Sequence, residues 1–475
     1  MGWLIDEFKR EAEEVQKLWR LCTGGKAPEP EELPPPEEST AEPHVAALDN
    51  GLKTAIQYAP GALRMSEATL LINAGSARDP AGKEGLAHFL EHVVCGRALE
   101  EEIKKRGGEL YAATSGSDIQ LGIQIPYSPE NEEFMLKTLK DMATNRNLLP
   151  SLIEKERKRI LNEIGQSNDD PKRRLNNETA QLMYSMPGAY TGNLGPRENV
   201  RTITREDMIR FMDSYFTAAN MTLAVKTPEP PRAAALAQEV KKIYGGIPRG
   251  TAAEPVPISY TPYEKRADHG TEQLHFSYVV PVTDPTKEDF YTQVVYDNYV
   301  GMLARRDLID SGLVYDAGAH CGLRPGILAF TGVTGNVMPE DADKVGPAAA
   351  KILGQTAHII DPEIFAQAKQ YVMQQFRGDQ NDWLRNQGTY DMARSLADTG
   401  KTQTAWENFQ GLDKVTADDL KAFARDKVLV NRPSVYAAGK SDLLLGQDAF
   451  EAQLRQHAAP GADAALGAQF QPAVA

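Results

Sequence analysis

Only three cysteines occur in the chain, Cys22, Cys95 and Cys321, and they lie far apart. So sparse and scattered a set excludes a disulfide-built scaffold and any cysteine-paired metal site. Long apolar runs are missing too: no stretch of eighteen or more hydrophobic residues is present to form a membrane-spanning helix. Nor is there a Lys/Arg cluster dense enough to follow a phosphate backbone. The 52 basic residues are outweighed by 66 acidic ones, for a formal net charge of −14. That balance argues against nucleic acid as the main partner. The opening "MGWLIDEFKREAEE" is charged from Asp6 onward, holds no apolar core of secretory length, and lacks the Ser or Thr at its sixth position that myristoylation needs. These absences lead to the expectation of a cytoplasmic protein with no transmembrane segment.

What is present reads as a soluble globular chain, 41% apolar and 25% charged. At 475 residues it exceeds what one hydrophobic core organises, so two domains are expected. Residues 1–24 read as an amphipathic helix, with Leu4, Phe8, Ala12, Val15, Trp19 and Cys22 at helical spacing and Gly24-Gly25 closing it. Residues 25–43, rich in Pro and Glu, cannot bury enough apolar surface to order themselves and read as a linker. Residues 44–250 mix strand-like runs ("ATLLINAGSA", "IQLGIQIPY") with helical ones ("EEFMLKTLKDMATN", "SLIEKERKRILNEIGQ"). A Pro/Gly-rich passage after Ile247 connects this region to a second mixed region, 251–445, and residues 446–475 read as a low-complexity tail. One echo links the halves. Thr204 stands three residues before Asp207, and Thr416 three before Asp419; each opens an apolar-periodic helix followed by a strand. Two capping-box starts at this separation point to two copies of one α/β unit.

The chain's most specific stretch is "GLAHFLEHVVCGR", residues 85–97. His88 and His92 stand at i and i+4, on one helix face, a spacing that lets two imidazoles reach one Zn²⁺. Glu91 lies between them, one turn from His88, where its carboxylate can serve as a general base. The competing reading is a core helix whose two histidines are satisfied by packing. Two ligands leave a catalytic zinc site open, so a third is expected from another element. In "LIEKERKRILNEIGQ", Glu156 and Glu163 are seven apart and share the face that carries Ile160, with Ile153 and Ile164 alongside. Acids on an apolar stripe are costly unless paired or metal-bound. Glu154 sits off that stripe and reads as a solvated charge.

These segments, with "IKKRGGELYAATS" and "TGNLGPRENVRTITREDMIRFMDSYF", resemble the pitrilysin-type zinc peptidases, the inverzincins marked by H-x-x-E-H. The resemblance spans about 44–445 and is stronger in the first half. It implies an α+β fold of two homologous α/β sandwich domains, each an antiparallel-rich sheet packed with helices, forming half of a clamshell that a second chain completes into a dimeric chamber. It implies Zn²⁺ held by His88, His92 and Glu163, Glu91 as the base, and Glu156 as the acid that orients a ligand. The second half supplies an Arg and a Tyr to the substrate carbonyl in such proteins. Here Tyr315 falls at the Tyr position, but Leu308 stands where the Arg is expected, and Arg306 is the nearest substitute. Tyr111 replaces a usual Asn on the strand edge, so Tyr111 and Ala112 are candidate substrate-binding positions. His275, His358, His320 and Cys321 read as structural.

The expected activity is therefore zinc-dependent endopeptidase cleavage of peptides or short unfolded segments, in a homo- or heterodimer with a related subunit. The missing arginine tilts the balance toward a heterodimer. The alternatives are a scaffolding or partner subunit of the same fold, and a maturation peptidase dedicated to one peptide within a heterodimer.

Overall fold

The computed structural model describes residues 43–459, apart from 59–63, 171–172, 176–177, 179–183, 186–191, 255–258, 268–269, 271, 283–288, 320–328, 378–381, 403–404 and 440. The expected N-terminal helix, the linker up to its last residue, the end of the tail, His320 and Cys321 lie outside the described residues.

In chain order the first half holds β1 (His44–Ala47), β2 (Lys53–Tyr58), β3 (Met65–Ile72), α1 (Leu86–Val94), α2 (Arg97–Lys105), β4 (Glu109–Thr114) and β5 (Ile119–Pro126). It continues with α3 (Pro129–Thr144), α4 (Pro150–Asp169), β6 (Tyr184–Ser185), α5 (Arg197–Thr202), α6 (Arg205–Tyr215), β7 (Met221–Thr227) and α7 (Pro230–Tyr244). The second half holds β8 (Ser259–Tyr260), β9 (Glu264–Ala267), β10 (Leu274–Val282), α8 (Asp289–Ala304), β11 (Asp316–Ala319), β12 (Ala329–Val337) and α9 (Ala342–Gln355). Then come α10 (Pro362–Arg377), α11 (Asp382–Thr399), α12 (Ala405–Asp413), α13 (Ala417–Phe423), β13 (Ser434–Ala438) and α14 (Gln447–Ala458).

One large sheet runs β1-β2-β7-β3-β5-β4 and a second β11-β12-β10-β13-β9, while β6 and β8 pair in a small two-stranded sheet. Read from opposite ends, β2-β7-β3-β5-β4 and β9-β13-β10-β12-β11 are the same order. Each has one parallel pair, β2 with β7 and β9 with β13, and antiparallel pairs elsewhere. The two halves repeat one α+β topology, as the paired Thr/Asp signals suggested. Both capping boxes form, with Thr204 and Thr416 each accepting the amide three residues on while Asp207 and Asp419 accept the cap amide in return.

The central strands β3 and β10 are buried along nearly their whole lengths. In a half-exposed antiparallel sheet every second residue would face water; here both residue sets are buried, because each sheet is covered on both faces. On one face of the first sheet lie its own helices, with Leu70, Ile72, Leu121 and Ile123 in a core shared with α1 and α3. The other face receives α11 from the second half, whose Met392, Ala393 and Leu396 bury against Ala55, Leu71 and Ala224. Polar bonds fasten this crossing: Arg394 Nη1 to Asp118 Oδ2 at 2.9 Å, and Lys53 Nζ to the Ala397 carbonyl at 3.0 Å. The exchange is reciprocal. Leu175, from the segment after α4, buries against Tyr436 and Ala438 of the second sheet.

The tail expected from residue 446 is helical over its first part. In α14, Phe450 and Leu454 are fully buried, and Phe450 stacks on Tyr278 with centroids 4.4 Å apart. Two apolar side chains one turn apart are worth about 1.5–3 kcal/mol each when buried, enough to dock a short polar helix whose composition reads as a tail.

Beside Leu175, Glu178 accepts from Arg174 Nε at 3.0 Å, from Lys265 Nζ at 2.8 Å and from the Tyr436 hydroxyl. Partial burial pulls its carboxyl up, but these donors win and hold it at about 2. A folded-state value below the ordinary 4.5 stabilises the fold above that value and loses the contribution as pH falls toward 2. Urea titrations across that window should show a falling midpoint in the natural chain and a flatter one in Glu178→Gln. Parallel slopes would mean that the inter-half ion pairs carry no acid sensitivity.

Candidate metal centre

Gly85 opens α1 in the left-handed region, φ 96°. A side chain there would be strained, and its Cβ would also lie 2.5 Å from the Leu194 carbonyl oxygen. From this start α1 buries Leu86, Ala87, Phe89, Leu90 and Val93 in the first core. That leaves His88, Glu91 and His92 toward α4. Helix α4 is set by Ile153, Ile160 and Ile164, all buried, with Glu156 fully buried among them. Glu154 lies outside the stripe, 64% exposed and paired with Arg157, a solvated charge as its position indicated.

The packing of α1 on α4 brings three donors together. His92 Nε2 is 3.6 Å and His88 Nε2 3.9 Å from Glu163 Oε2. One donor atom from each of the three residues lies within 4.8 Å of the others, the only such group among the described residues. A tetrahedral zinc with bonds of 2.0–2.1 Å spaces its ligand atoms about 3.3–3.5 Å apart, and the two nitrogen–oxygen separations here lie a few tenths of an ångström above that range, so the donor set is of the kind and spacing that could hold one. On its other side His92 presents Nδ1 to Glu156 Oε2 at 3.5 Å. Arg159 Nη1 binds the same oxygen at 2.8 Å. A carboxylate placed behind an imidazole in this way restrains the ring's orientation. His88 Nδ1 and Glu156 Oε1 are buried with no hydrogen-bond partner.

Burial shifts two of these groups toward their neutral forms. Desolvation, and then the neighbouring His92, lower His88 to about 3, so its imidazole is neutral with a lone pair free. Desolvation raises Glu91 to about 7, with Glu163 adding to the rise and a 2.9 Å hydrogen bond from Thr114 Oγ1 opposing it.

The other candidate residues are placed differently. Tyr111 and Ala112 do lie on β4, the edge strand of the first sheet. The Tyr111 side chain, however, turns across β5 over Gly122, where any Cβ would meet its ring at 1.9 Å. Its hydroxyl lies 3.1 Å from both Glu67 Oε1 and Thr69 Oγ1 and 3.3 Å from Thr389 Oγ1 of α11. Glu67 is buried and raised above the ordinary carboxylate range by desolvation. The Tyr111 ring thus joins the two halves. Leu308 is fully buried in the second core. Arg306 forks onto Asp307 at 2.5 and 3.0 Å and reaches Asp361 at 3.4 Å. Tyr315 is 85% exposed. No contact among the described residues joins Arg306 or Tyr315 to the three-donor group.

Three residues went unread in the sequence. Thr114 holds Glu91, and Asn193 bridges Ser76 Oγ (2.7 Å) and the Thr114 carbonyl (2.8 Å). Asp79 binds the start of α1. All three act across loops at spacings that match no local capping or metal pattern.

Residues 54–191 match the family described as insulinase (peptidase family M16), and residues 202–372 match the peptidase M16 inactive domain. The chain belongs to peptidase family M16. Its relatives include the probable mitochondrial-processing peptidase subunit beta of Arabidopsis thaliana, 32% identical over 221 residues, 43% of this M16 chain and 39% of that protein. The mitochondrial-processing peptidase subunit beta of Saccharomyces cerevisiae is 24% identical over 86% of this chain and 94% of its own. The cytochrome b-c1 complex subunit 1 of Bos taurus is 30% identical over 39% of this chain and 40% of its own. Against the plant and bovine proteins, then, the match spans less than half the relative's length. A chain of complex III2 from Candida albicans shares the fold, with TM-score 0.75 at 17% identity over 86% of this chain and 99% of that one. The relatives are mitochondrial by name, which overturns the cytoplasmic expectation. The expectation rested on composition and on the charge pattern of the opening residues, neither of which selects a compartment; mitochondrial transit peptides are amphipathic and Arg-rich rather than apolar.

Proposed function

We propose that this M16 chain is a zinc-dependent endopeptidase subunit acting on peptides or short unfolded segments, with His88, His92 and Glu163 as ligands. The observation that carries the reading is the convergence of these three donors beside a buried Glu91 held by Thr114. Bound there, zinc would polarise a peptide carbonyl and acidify water, toward a pKa of about 7. Glu91 takes a proton and later returns it to the leaving amine; its raised carboxyl suits both transfers. Thr114 occupies Oε2, which leaves Oε1 for that proton. Glu156, backed by Arg159, holds the His92 ring. The free edge of β4, including Tyr111 and Ala112, offers backbone donors and acceptors to which an extended peptide adds as a strand, largely independent of its side chains.

The chain's second half offers Tyr315, but Leu308 stands where the arginine is expected and Arg306 is committed to two aspartates. This favours a dimer in which a related subunit supplies the complete pair, the two chains enclosing a chamber. Relatives named as processing peptidase beta subunits support such an assembly, and a dedicated maturation peptidase is the narrower form of the same reading. A scaffolding role is favoured by the relatives named as cytochrome b-c1 complex subunit 1. The intact four-residue set weighs against it.

The purified chain should carry about one zinc, as one three-ligand site requires. It should cleave an unstructured peptide, alone or with a co-expressed M16 relative, and lose cleavage to a chelator. A chain with neither zinc nor cleavage under both conditions sinks the peptidase reading and leaves the scaffold.

A further inference from the structure

We infer that Asp79 is the positioning residue that sets the metal-site helix in register with its base and third ligand. This rests on the zinc peptidase reading above. Helix α1 has no side-chain cap of its own, because its N-cap is Gly85. The need is met from six residues upstream: Asp79 Oδ2 accepts the Gly85 amide at 2.7 Å and Asp79 Oδ1 the Ala87 amide at 2.8 Å. Asp79 is buried, and both oxygens of one carboxylate are used on the first turn of one helix. A single acceptor would leave that turn free to pivot; two fix its rotation.

Two features make this more than an ordinary cap. Ala87 immediately precedes His88, so the amide that Asp79 holds belongs to the turn that aims the first imidazole. The loop carrying Asp79 is in turn fastened to the end of β4. Ser76 N donates to the Ser115 carbonyl at 2.9 Å, Ala77 N donates to the Gly116 carbonyl at 3.0 Å, and Ser76 Oγ reaches Asn193, which binds the Thr114 carbonyl. Thr114 holds Glu91. One buried carboxylate therefore ties the helix bearing His88 and His92 to the strand end that restrains the base. Metal sites demand ligand placement within about 0.2 Å, and a helix moves as a rigid body, so loosening its first turn displaces both histidines relative to Glu163 on α4.

The test is Asp79→Asn, which keeps the side chain's shape but turns one acceptor into a donor facing a backbone amide. Asp419→Asn, made in the same way, damages the capping box of α13, far along the chain from the metal helix. Zn²⁺ affinity is measured against a chromophoric chelator and the Co²⁺-loaded protein by its visible spectrum. We expect Asp79→Asn to weaken Zn²⁺ binding by roughly tenfold or more and to alter the Co²⁺ bands, the size of effect seen when groups behind metal ligands are removed. Asp419→Asn should lower only the melting temperature. Unchanged affinity and bands in Asp79→Asn overturn the inference, as does equal weakening in Asp419→Asn, which would make the effect one of general stability. A natural chain that binds no metal overturns the peptidase reading itself, a result distinguishable from either.

Discussion

Replacing Glu91 with Gln is expected to lower kcat/KM for an unstructured peptide by roughly 10²–10⁴-fold, the usual span for a lost acid–base group, while the zinc content stays at the natural level. The substitution is nearly isosteric. A glutamine oxygen still accepts the Thr114 hydroxyl, now 2.9 Å from Glu91 Oε2. Burial already favours the neutral form at this position, raising the carboxyl to about 7, so an uncharged amide costs the fold little. Only the ability to take and return a proton is removed. Because His88, His92 and Glu163 are untouched, metal analysis and thermal unfolding should match the natural chain. Cleavage at the natural rate with Gln at this position would assign the proton transfers elsewhere. Loss of zinc together with activity would instead make Glu91 part of the metal's own support.

The metal-site elements of the first half are legible in the sequence for a physical reason. His88, Glu91 and His92 lie within one helical turn and a half, where sequence spacing fixes geometry. The same holds for Glu156 and Glu163 on a single helix, and for the Thr204 and Thr416 caps, whose partners are three residues away. The duplication followed from the repeated cap-helix-strand unit for the same reason, whereas the α+β sandwich came with the family resemblance. What stayed hidden depends on contacts between distant segments. Tyr111 looks like an edge-strand side chain until α11, more than 270 residues later, brings Thr389 to its hydroxyl. Asp79 and Asn193 work through loops, where no periodicity reports who faces whom. The helix at the end of the chain was lost in a polar stretch because its docking residues, Phe450 and Leu454, are only two. The location expected from composition failed for a different reason: net charge and cysteine count select no compartment.

Leu308→Arg, which would restore the arginine that the family resemblance expects, should disable the protein rather than improve it. Leu308 is fully buried beside Leu303, Val314 and Ala317 in the second core. It lies in a wide π-type turn over Arg305–Ile309, and its carbonyl accepts the amides of Leu313 at 3.0 Å and Val314 at 3.1 Å. Losing a buried leucine costs about 2–5 kcal/mol. A guanidinium forced into the same place adds a desolvation penalty of several kcal/mol unless it is paired. Against a total stability of about 5–15 kcal/mol, the sum threatens the fold of the second half. The expected result is poor soluble yield, or a melting temperature lower by more than about 10 °C. Arg306→Ala is the contrasting case. Its guanidinium, 46% exposed, forms surface pairs with Asp307 and Asp361. Such pairs are worth about 0–1 kcal/mol each, so its melting temperature should barely move. If Leu308→Arg instead folds normally and cleaves faster, the side chain at 308 opens toward the substrate. The arginine's absence would then be a loss of catalytic power within one chain, and the argument for a different partner subunit would fall with it.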